Sequence, residues 1–332
     1  MASSAELHRQ FTPLSAASPI GIGTYLGDCS DEEDRLYEAA IAEALQRGVS
    51  VIDTAINYRC QRSERVVGHV LGKTPTAAVT VCTKGGYIPL EPTPAKTKAE
   101  YRDYLEREYF GSHIIDERDL VAGGHCIAPG YLLNQIDRSL ANLQGRTIDL
   151  YYLHNPEQQL DTVPRDDFER RLRHAFVALE SAVADGKIRS YGCATWNGLR
   201  APADAGNHLN LESLVKVARE VGGEQHHFVA VQLPINLAMP EAIRLRNQTV
   251  NGTSCTLLEA AMELGISVVA SAPLMQGQLA QNLPAQVRDA LPPAGTDAQR
   301  AIAFVRQLPG VTTVLIGMRN VKHLDEALQL FS

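Results

Sequence analysis

Residues 51–60 read VIDTAINYRC, and in this stretch an apolar run changes to polar side chains within one residue. Val51 and Ile52 carry the β-branched side chains that are typical of strands. Asp53 follows them directly, and Tyr58 comes five positions later. The pattern indicates a strand that is buried on both faces, ends on a carboxylate and is followed by a phenol on the next loop.

Similar short apolar runs recur along the chain, separated by longer amphipathic segments. The eight predicted strands are PIGIGTY, VSVID, AVTVCTK, TIDLYYLH, IRSYGCA, FVAVQLP, ISVVASA and VTTVLIG. Their continuous apolar character is typical of strands covered on both faces. Eight strand–helix units predict an α/β fold, a parallel (β/α)8 TIM barrel that forms a single domain over residues 1–332. An open doubly wound sheet is the alternative, but GIGTYLG lacks the spacing of its GxGxxG turn.

The predicted helices have recognisable starts. Ser30 with Glu33 predicts a capping box, Ser63 is predicted to cap the second helix, and Pro129 to open the next one. The helices are expected at residues 30–46, 63–72, 129–143, 166–185, 211–221, 254–264, 296–308 and 321–330.

One connection is too long for this pattern. Residues 86–128 separate the third strand from the next predicted helix, and they contain three prolines and the tyrosine-rich stretch YRDYLEREYF. Connections of this length in a compact domain are usually functional lids or mobile segments. We therefore expect an insertion at about 86–128 that is either a lid or a short helix docked on the barrel rim or against another subunit.

The composition excludes several classes of protein. The formal net charge of the 332 residues is −7, which argues against a nucleic-acid surface. No apolar run reaches the roughly 18 residues of a membrane span, and the N-terminus, with Glu6, His8 and Arg9, does not resemble a secretory signal. The six cysteines form no CxxC pair and no metal-like cluster. We therefore expect reduced thiols, no metal site and a cytoplasmic location.

Three consecutive predicted strands end on reactive groups. Asp53 ends the second strand, Lys84 the third and His154 the fourth, and Tyr58 lies just beyond the second. In a (β/α)8 barrel catalytic groups gather at the carboxyl ends of the strands, and neighbouring strands are about 4.8 Å apart. Each residue alone has an ordinary explanation, as a turn former, a surface charge, a rim residue or a packing tyrosine. Their common position on consecutive strands predicts that the four side chains converge.

The four groups have a coherent chemical use. Tyrosine has an ordinary pKa near 10, so its hydroxyl is protonated at neutral pH but is a poor acid. The Lys84 ammonium is expected to lower the pKa of Tyr58, Asp53 to hold that ammonium, and a neutral His154 to orient a substrate oxygen. A tyrosine in this setting can donate a proton to an oxygen that becomes an alkoxide, or remove a proton from an alcohol. The hydride must then come from another molecule.

The chain resembles the aldo-keto reductase family, (β/α)8-barrel oxidoreductases that use nicotinamide cofactors, mostly NADPH. The matching segments follow the family order over almost the whole chain: GIGTY, DTAINY, CTK, IDLYYLHNP, GKIRSYG and VQLPIN. The resemblance implies that Asp53, Tyr58, Lys84 and His154 form a catalytic tetrad. Tyr58 would be the general acid in reduction and the general base in oxidation.

The resemblance also implies a cofactor site. Thr195 and Gln232 are expected at the nicotinamide amide, Ser271 stands where many members have a ring-stacking tyrosine, and the turn SAPLMQGQL is expected to wrap the pyrophosphate. Arg319 suits a 2′-phosphate, so NADP(H) is favoured, with NAD(H) as the alternative. The expected cofactor contacts are Gly23, Thr24, Asp53, Thr195, Gln232, Ser271, Leu274, Gln276, Gly277, Arg319, Asn320 and His323.

Aromatic and polar side chains are expected to line the substrate pocket, and they fit a sugar or a small polar aldehyde. The candidates are Tyr25, Tyr87, Asn155 and Trp196. The leading hypothesis is an NADP(H)-dependent carbonyl reductase or sugar dehydrogenase. A second is a non-catalytic nicotinamide-binding subunit of a larger complex, because such members share the barrel and the tetrad. A third is a metal-dependent barrel hydrolase that uses His125, His154 and the His226–His227 pair, although these histidines lack a recognisable ligand spacing.

Overall fold

A computed structural model describes Leu14 and residues 17–74, 78–91 and 95–331. Eight parallel strands close into a barrel in the order β1-β10-β9-β6-β5-β4-β3-β2. These strands are β1 (Ile20–Gly23), β2 (Val51–Asp53), β3 (Thr80–Gly85), β4 (Leu150–His154), β5 (Tyr191–Ala194), β6 (Phe228–Pro234), β9 (Ser267–Ser271) and β10 (Val311–Gly317). The predicted (β/α)8 barrel is confirmed. A separate antiparallel hairpin, β7 (Gln248–Val250) and β8 (Thr253–Cys255), was not predicted.

Helices surround the barrel and connect its strands. They are α1 (Asp31–Gln46), α2 (Arg62–Lys73), α3 (Lys98–Leu105), α4 (Pro129–Asn142), α5 (Arg165–Ala184), α6 (Leu211–Gly222), α7 (Glu241–Arg244), α8 (Leu257–Leu264), α9 (Ala285–Asp289), α10 (Asp297–Arg306) and α11 (Val321–Leu328). In the described part of the chain, no helix combines the length and the apolar character that crossing a membrane requires.

The predicted helix starts are right in part. Pro129 opens α4, and the Ser30 hydroxyl accepts the Glu33 backbone N–H, 3.3 Å away. The prediction for Ser63 is wrong, because α2 begins one residue earlier, after Gln61, and the Ser63 hydroxyl donates to the Thr24 carbonyl instead. The helix expected at 254–264 begins only at residue 257, since the preceding residues complete the hairpin.

Strand periodicity decides which side chains face the barrel interior. Side chains alternate between the two faces of a strand. In β2, Val51 belongs to the small apolar cluster inside the barrel, and Ile52 belongs to the larger cluster between the barrel and the helices. By the same alternation, the side chain of Asp53 faces the barrel interior. The same alternation runs from Cys82 to Lys84 in β3. The apolar interior therefore ends in ionisable groups at the carboxyl end of the barrel.

The insertion at 86–128 packs against the barrel through aromatic side chains. Tyr109 is fully buried against Tyr131 of α4, with ring centroids 5.7 Å apart. The Tyr104 hydroxyl donates to the Pro89 carbonyl over 2.6 Å, and Arg138 pairs with Glu108 at 2.7 Å. These contacts are those of a docked segment, whereas the lid interpretation stays a prediction.

Two sequence-based interpretations rest in part on residues outside the described ranges. Pro92 and Pro94 of the insertion belong to the gap at 92–94. Glu6, His8 and Arg9, on which the interpretation of the N-terminus depends, precede the described part of the chain.

Candidate active site

A buried ion pair lies at the carboxyl end of the barrel. Lys84 Nζ is 2.5 Å from Asp53 Oδ1 and donates a second hydrogen bond to the Thr54 carbonyl over 2.8 Å. Gln232 Nε2 donates to the other carboxylate oxygen of Asp53 over 2.7 Å. Burial is the largest single effect and lowers the pKa of Lys84, but the Asp53 carboxylate and Tyr58 together raise it by more, so the net shift is upward. Lys84 is therefore an ammonium at neutral pH.

Tyr58 lies over this ion pair. The centroid of its ring is 4.8 Å from Lys84 Nζ, within the range of a cation–π contact. Burial raises the pKa of Tyr58 and the Lys84 ammonium lowers it, but the net shift is upward. The Lys84 ammonium thus acts on the pKa of Tyr58 in the expected direction, but the expected net lowering is not found, because removing the hydroxyl from water outweighs the attraction of one ammonium that already has its own carboxylate.

His154 completes the group from the end of β4. Its ring centroid is 5.9 Å from that of Tyr58 and 4.9 Å from that of Tyr87. Burial, with the nearby Lys84 charge, holds the pKa of His154 well below its ordinary value, so the imidazole is neutral, as expected. The four residues predicted to converge do so.

A second histidine, His125, is hydrogen-bonded to the backbone at the end of β4. His125 Nε2 lies 2.8 Å from the His154 carbonyl, and its Nδ1 lies 2.8 Å from Gln159 Nε2. Burial lowers the pKa of His125 to about 4, so the ring is neutral; it donates to the carbonyl and accepts from the Gln159 amide. His125 is thus a hydrogen-bonded structural residue of the described chain.

A cavity of about 960 Å³ opens at this end of the barrel. All the expected substrate and cofactor residues line this cavity, with the single exception of Thr24. Three members of the tetrad, Asp53, Tyr58 and His154, line it as well. Thr24 is buried behind the wall, where its backbone N–H and hydroxyl both face the Asp53 carbonyl. Lys84 is fully buried and does not line the cavity itself, but its neighbours Asp53 and Tyr58 do.

The substrate candidates surround the tetrad end of the cavity. Tyr25 and Trp196 are the most accessible, with 56% and 43% of their surface exposed. Asn155 Nδ2 donates to the Tyr87 hydroxyl over 2.8 Å. A ligand in this part of the cavity would meet aromatic faces, an amide and the tetrad together.

The walls of the cavity offer polar groups that suit a nicotinamide cofactor. The Thr195 hydroxyl is buried and has no hydrogen-bond partner within the described structure, although buried hydroxyls normally have one. An amide group in this part of the cavity would satisfy it. The turn after β9 passes through left-handed backbone conformations at Met275, Gln276 and Gly277, and the last two residues line the wall. The residues present therefore fit the cofactor that the sequence motifs imply.

The far end of the cavity carries charge. Arg319, Asn320 and His323, three of the expected cofactor contacts, line it. Arg319 Nη1 donates to Oε1 of Glu33, on the first turn of α1. Sequence reasoning treated Glu33 only as a capping residue, but its side chain points to Arg319 and not back to the helix start. The linear sequence contains no signal for this contact between residues 33 and 319.

Other cavity residues were missed because they come from helices. Tyr37 of α1 and Ile302 of α10 line the wall, as does Glu326 of α11. A helical stripe of apolar residues does not reveal which side chains reach beyond the barrel wall, so the sequence offered no signal for these positions.

The comparison with protein families agrees with this geometry. The aldo/keto reductase family model matches residues 19–292, which is more than half of the chain. The chain belongs to the aldo/keto reductase family.

Relatives with named activities are enzymes of sugars and small carbonyl compounds. A D-threo-aldose 1-dehydrogenase of a Pseudomonas species is 30% identical over 192 residues, 54% of this chain and 49% of that protein. A 6-dehydroglucose reductase of Novosphingobium aromaticivorans is 27% identical over 303 residues, 87% of this chain and 73% of that protein. An NADH-specific methylglyoxal reductase of Escherichia coli is 27% identical over 182 residues, 53% of this chain and 48% of that protein. The match spans about half the length of the D-threo-aldose 1-dehydrogenase and of the methylglyoxal reductase.

Solved aldo/keto reductase structures share the fold. An aldo/keto reductase of Klebsiella pneumoniae, in complex with NADP and acetate, has a TM-score of 0.62 at 21% identity, covering 95% of this chain and 86% of that one. The glycerol dehydrogenase of Gluconobacter oxydans has a TM-score of 0.65 at 19% identity, covering 95% and 87%. At these identities the likeness shows the fold alone.

The barrel hydrolase hypothesis is not supported by the geometry. His226 and His227 precede β6 and lie at the amino end of the barrel, whereas His154 ends β4 at the carboxyl end. In the described ranges no three histidine, cysteine, aspartate or glutamate side chains are grouped so that they could hold a metal ion. His227 instead pairs with Glu180 at 2.7 Å.

Proposed function

We propose that this aldo/keto reductase is an NADP(H)-dependent oxidoreductase that interconverts a carbonyl group and an alcohol, with NAD(H) as the alternative cofactor. The observation that carries the proposal is the position of Tyr58 over the Lys84–Asp53 ion pair, 4.8 Å from Nζ to the ring centroid, in the wall of the large cavity. This arrangement holds a protonated phenol next to a fixed positive charge, where a substrate oxygen can enter.

In the reducing direction Tyr58 donates its hydroxyl proton to the oxygen that develops negative charge. The Lys84 ammonium stabilises the resulting phenolate, and Asp53 keeps the ammonium charged and in place. The neutral imidazole of His154 can hydrogen-bond the same oxygen and orient it. In the oxidising direction the phenolate of Tyr58 takes the proton from the alcohol. A bound nicotinamide cofactor supplies or accepts the hydride.

We assign the cofactor to the long wall of the cavity. Thr195, with its unpartnered hydroxyl, and Ser271 would border the nicotinamide end, the turn at 274–277 the pyrophosphate, and Arg319 the adenosine end. The NADP in the Klebsiella pneumoniae structure and the reductase names of the relatives support this assignment. Gln232 would contribute less to it, because its amide already donates to Asp53.

We further propose that the substrate is an aldose or a small polar aldehyde. Two of the relatives are named for aldose or glucose derivatives and one for methylglyoxal. The side chains around the tetrad combine aromatic faces with the Asn155 amide, which suits the polar and apolar edges of a small oxygenated molecule. The buried free thiols of Cys82 and Cys193 also suit a reducing compartment, and we place the protein in the cytoplasm.

The test follows the absorbance of the reduced cofactor with NADPH and NADH against a panel of aldehydes and aldoses, and the reverse reaction with the oxidised cofactors. Tyr58→Phe should lower kcat by about 10²–10⁴ and leave cofactor binding intact. Binding can be followed without a label, because the only tryptophan of the sequence, Trp196, lines the cavity. Tyr101→Phe, a change on the distant insertion, is the matched control.

Turnover that survives in Tyr58→Phe would contradict the assignment of the general acid. Cofactor that quenches Trp196 fluorescence without turnover on any substrate of the panel would favour the second hypothesis, a non-catalytic nicotinamide-binding subunit. That hypothesis also predicts a stable partner protein in pull-down experiments.

A further inference from the structure

The arginine at the adenosine end of the cavity already has a partner. Arg319 Nη1 donates to Glu33 Oε1, and the Glu33 side chain is only 13% exposed whereas that of Arg319 is 47% exposed. Arginine binds phosphate best when both arms of its planar fork are available. A guanidinium that is held by a carboxylate offers less of that fork to a ligand.

The surrounding chain makes room for the Glu33 side chain in this position. Gly27, just before α1, has φ +102, and a Cβ there would lie 2.5 Å from Glu33 Oε2. This second carboxylate oxygen is buried and has no hydrogen-bond partner in the described structure. The backbone thus makes room for the carboxylate through a glycine in a left-handed conformation, and Glu33 Oε2 lies where a side chain at position 27 would clash with it.

A second carboxylate lies at the same end. Glu326 lines the cavity, and its Oε1 accepts a hydrogen bond from the Thr296 hydroxyl over 2.5 Å. This end of the cavity therefore has two carboxylates near it: Glu33, which is paired with Arg319, and Glu326, which lines the wall. A phosphate monoester carries about −1.5 to −2 charge at neutral pH and is repelled by carboxylates. A ribose hydroxyl, in contrast, can donate a hydrogen bond to a carboxylate.

We propose that Glu33 sets the cofactor selectivity of this chain. By holding Arg319, it lowers the preference for the 2′-phosphate of NADP(H) over the 2′-hydroxyl of NAD(H). The inference rests on the proposed function and deepens it, because it names the residue that decides between the two nicotinamide cofactors.

The test measures binding and not turnover. Calorimetry with 2′,5′-ADP and with 5′-AMP gives the ratio of their dissociation constants, which isolates the contribution of the 2′-phosphate. Glu33→Gln should increase the preference for 2′,5′-ADP about tenfold, since a neutral amide holds Arg319 less strongly and does not neutralise its charge. NADPH and NADH, followed by Trp196 fluorescence, should show the same change. Glu38→Gln, on the same helix but paired with His69, should leave the ratio unchanged.

Arg319→Ala gives an independent measurement. It should abolish the preference for the 2′-phosphate, and adding Glu33→Gln to it should then have no further effect, because the two residues act as a pair. A ratio that Glu33→Gln changes by less than about twofold would overturn the inference while leaving the proposed function standing. Absence of binding of all four nucleotides to the wild-type chain would overturn both.

Two cysteines lie close together in the loops that precede α1 and α2. Cys29 precedes α1 and Cys60 precedes α2, yet their sulfur atoms are 2.7 Å apart. Arg59 holds the two loops together: Nε donates to the Asp28 carbonyl over 3.0 Å and Nη2 to the Ser30 carbonyl over 3.3 Å. Asp28 and Ser30, which flank Cys29, are thus hydrogen-bonded to Arg59, which precedes Cys60. The spacing of the cysteines in the sequence does not reveal this pair.

We propose that Cys29 and Cys60 form a redox-responsive dithiol that closes to an intramolecular disulfide when hydrogen peroxide is present. Disulfide sulfurs lie about 2.05 Å apart, so closure needs a movement of less than about 1 Å. The Cys29 thiolate attacks one peroxide oxygen to give a sulfenic acid. The Cys60 sulfur then displaces that oxygen as water, so that one peroxide oxidises two thiols to one disulfide and yields two waters.

The environment of the two thiols supports this order of events. Burial, and the hydrogen bond with Cys29, raise the pKa of Cys60 to about 12. Cys29 is the exposed member of the pair and is therefore the one that meets the oxidant. Cys60 lies two positions beyond Tyr58, so the bridge would tie the loop that carries the general acid to the loop before α1.

Mass spectrometry tests this second proposal directly. Peroxide should lower the mass of the chain by two hydrogens, and a non-reducing tryptic map should link peptide 10–35 to peptide 60–62. A thiol reductant should reverse both changes, and Cys29→Ser should prevent them. Peroxide that oxidises the two cysteines separately, or leaves both open to alkylation, would overturn the proposal; neither result would affect the proposed function.

Discussion

Tyr58 is subject to two opposing effects, burial that raises its pKa and the Lys84 ammonium that lowers it, and burial is the larger. Reduction needs the phenol, which is present below the pKa and is lost as the pH rises through it. Oxidation needs the phenolate and gains in rate with pH up to the same pKa. We predict that kcat/KM for reduction stays level to a pH above the ordinary pKa of tyrosine, while kcat/KM for oxidation rises. Profiles in both directions test this, and a fall in reduction near neutral pH would contradict it.

The buried ion pair of Lys84 and Asp53 has a structural role in stability and a chemical role at Tyr58, and substitutions can distinguish the two. Lys84→Met keeps the size of the side chain but leaves the Asp53 carboxylate buried without its cation, which typically costs about 3–5 kcal/mol. Adding Asp53→Asn removes that charge and should restore most of the thermal stability. Turnover should stay low in the double variant, because Tyr58 still lacks the ammonium. Recovered turnover in the double variant would mean that the pair acts only through the fold.

At the scale of one element, a carboxylate accepts three successive backbone N–H groups of the loop after β5. Glu157 is 5% exposed, and its Oε1 accepts the backbone N–H groups of Trp196, Asn197 and Gly198 at 2.8, 3.0 and 3.1 Å. This loop carries Thr195 and Trp196 into the cavity. Glu157 is thus a positioning residue for the cavity wall.

We predict that Glu157→Ala raises KM more than it lowers kcat, because it disturbs the loop and not the tetrad. Three backbone N–H groups lose their acceptor, and for the buried one, that of Gly198, the loss typically costs about 1–3 kcal/mol. The emission of Trp196 should shift at the same time, which gives a readout independent of activity. Glu220→Gln, which breaks an exposed pair with Arg173, should change neither quantity.

At the scale of the whole molecule, closure of the barrel depends on strands that approach closely. At Gly192 in β5, an added Cβ would lie 2.1 Å from the Ala230 carbonyl oxygen of β6. Because that neighbour is backbone, relief requires the two strands to separate. Gly206, in contrast, has open space around its Cα and needs no left-handed backbone.

We predict that Gly192→Ala destabilises the protein by about 1–3 kcal/mol or more, whereas Gly206→Ala leaves the free energy of unfolding nearly unchanged. Thermal or chemical denaturation of the two variants measures the difference. Equal stability of the two variants would mean that the strands can repack around the added methyl group.

Much of this architecture could be predicted because it follows from local pattern. Eight apolar runs with helices between them specify a closed parallel barrel, and the period of two residues along each strand sends Asp53, Lys84 and His154 inward at one end. The start of α2 could not be predicted, because the Ser63 hydroxyl binds the distant Thr24 carbonyl instead of its own helix. The hairpin at 248–255 was missed for a similar reason, since its strands are too short to show a period.

The amino-acid sequence by itself determined the barrel, the family and the identity of the four residues at its mouth, because each depends on spacing along the chain. Only the tertiary structure decided the balance of forces among them. The raised pKa of Tyr58 depends on burial that no linear pattern measures. The pairs Glu33–Arg319 and Cys29–Cys60 join residues from different strand–helix units. Such contacts arise from how the loops fold over the barrel end, and that is a property of the assembled molecule.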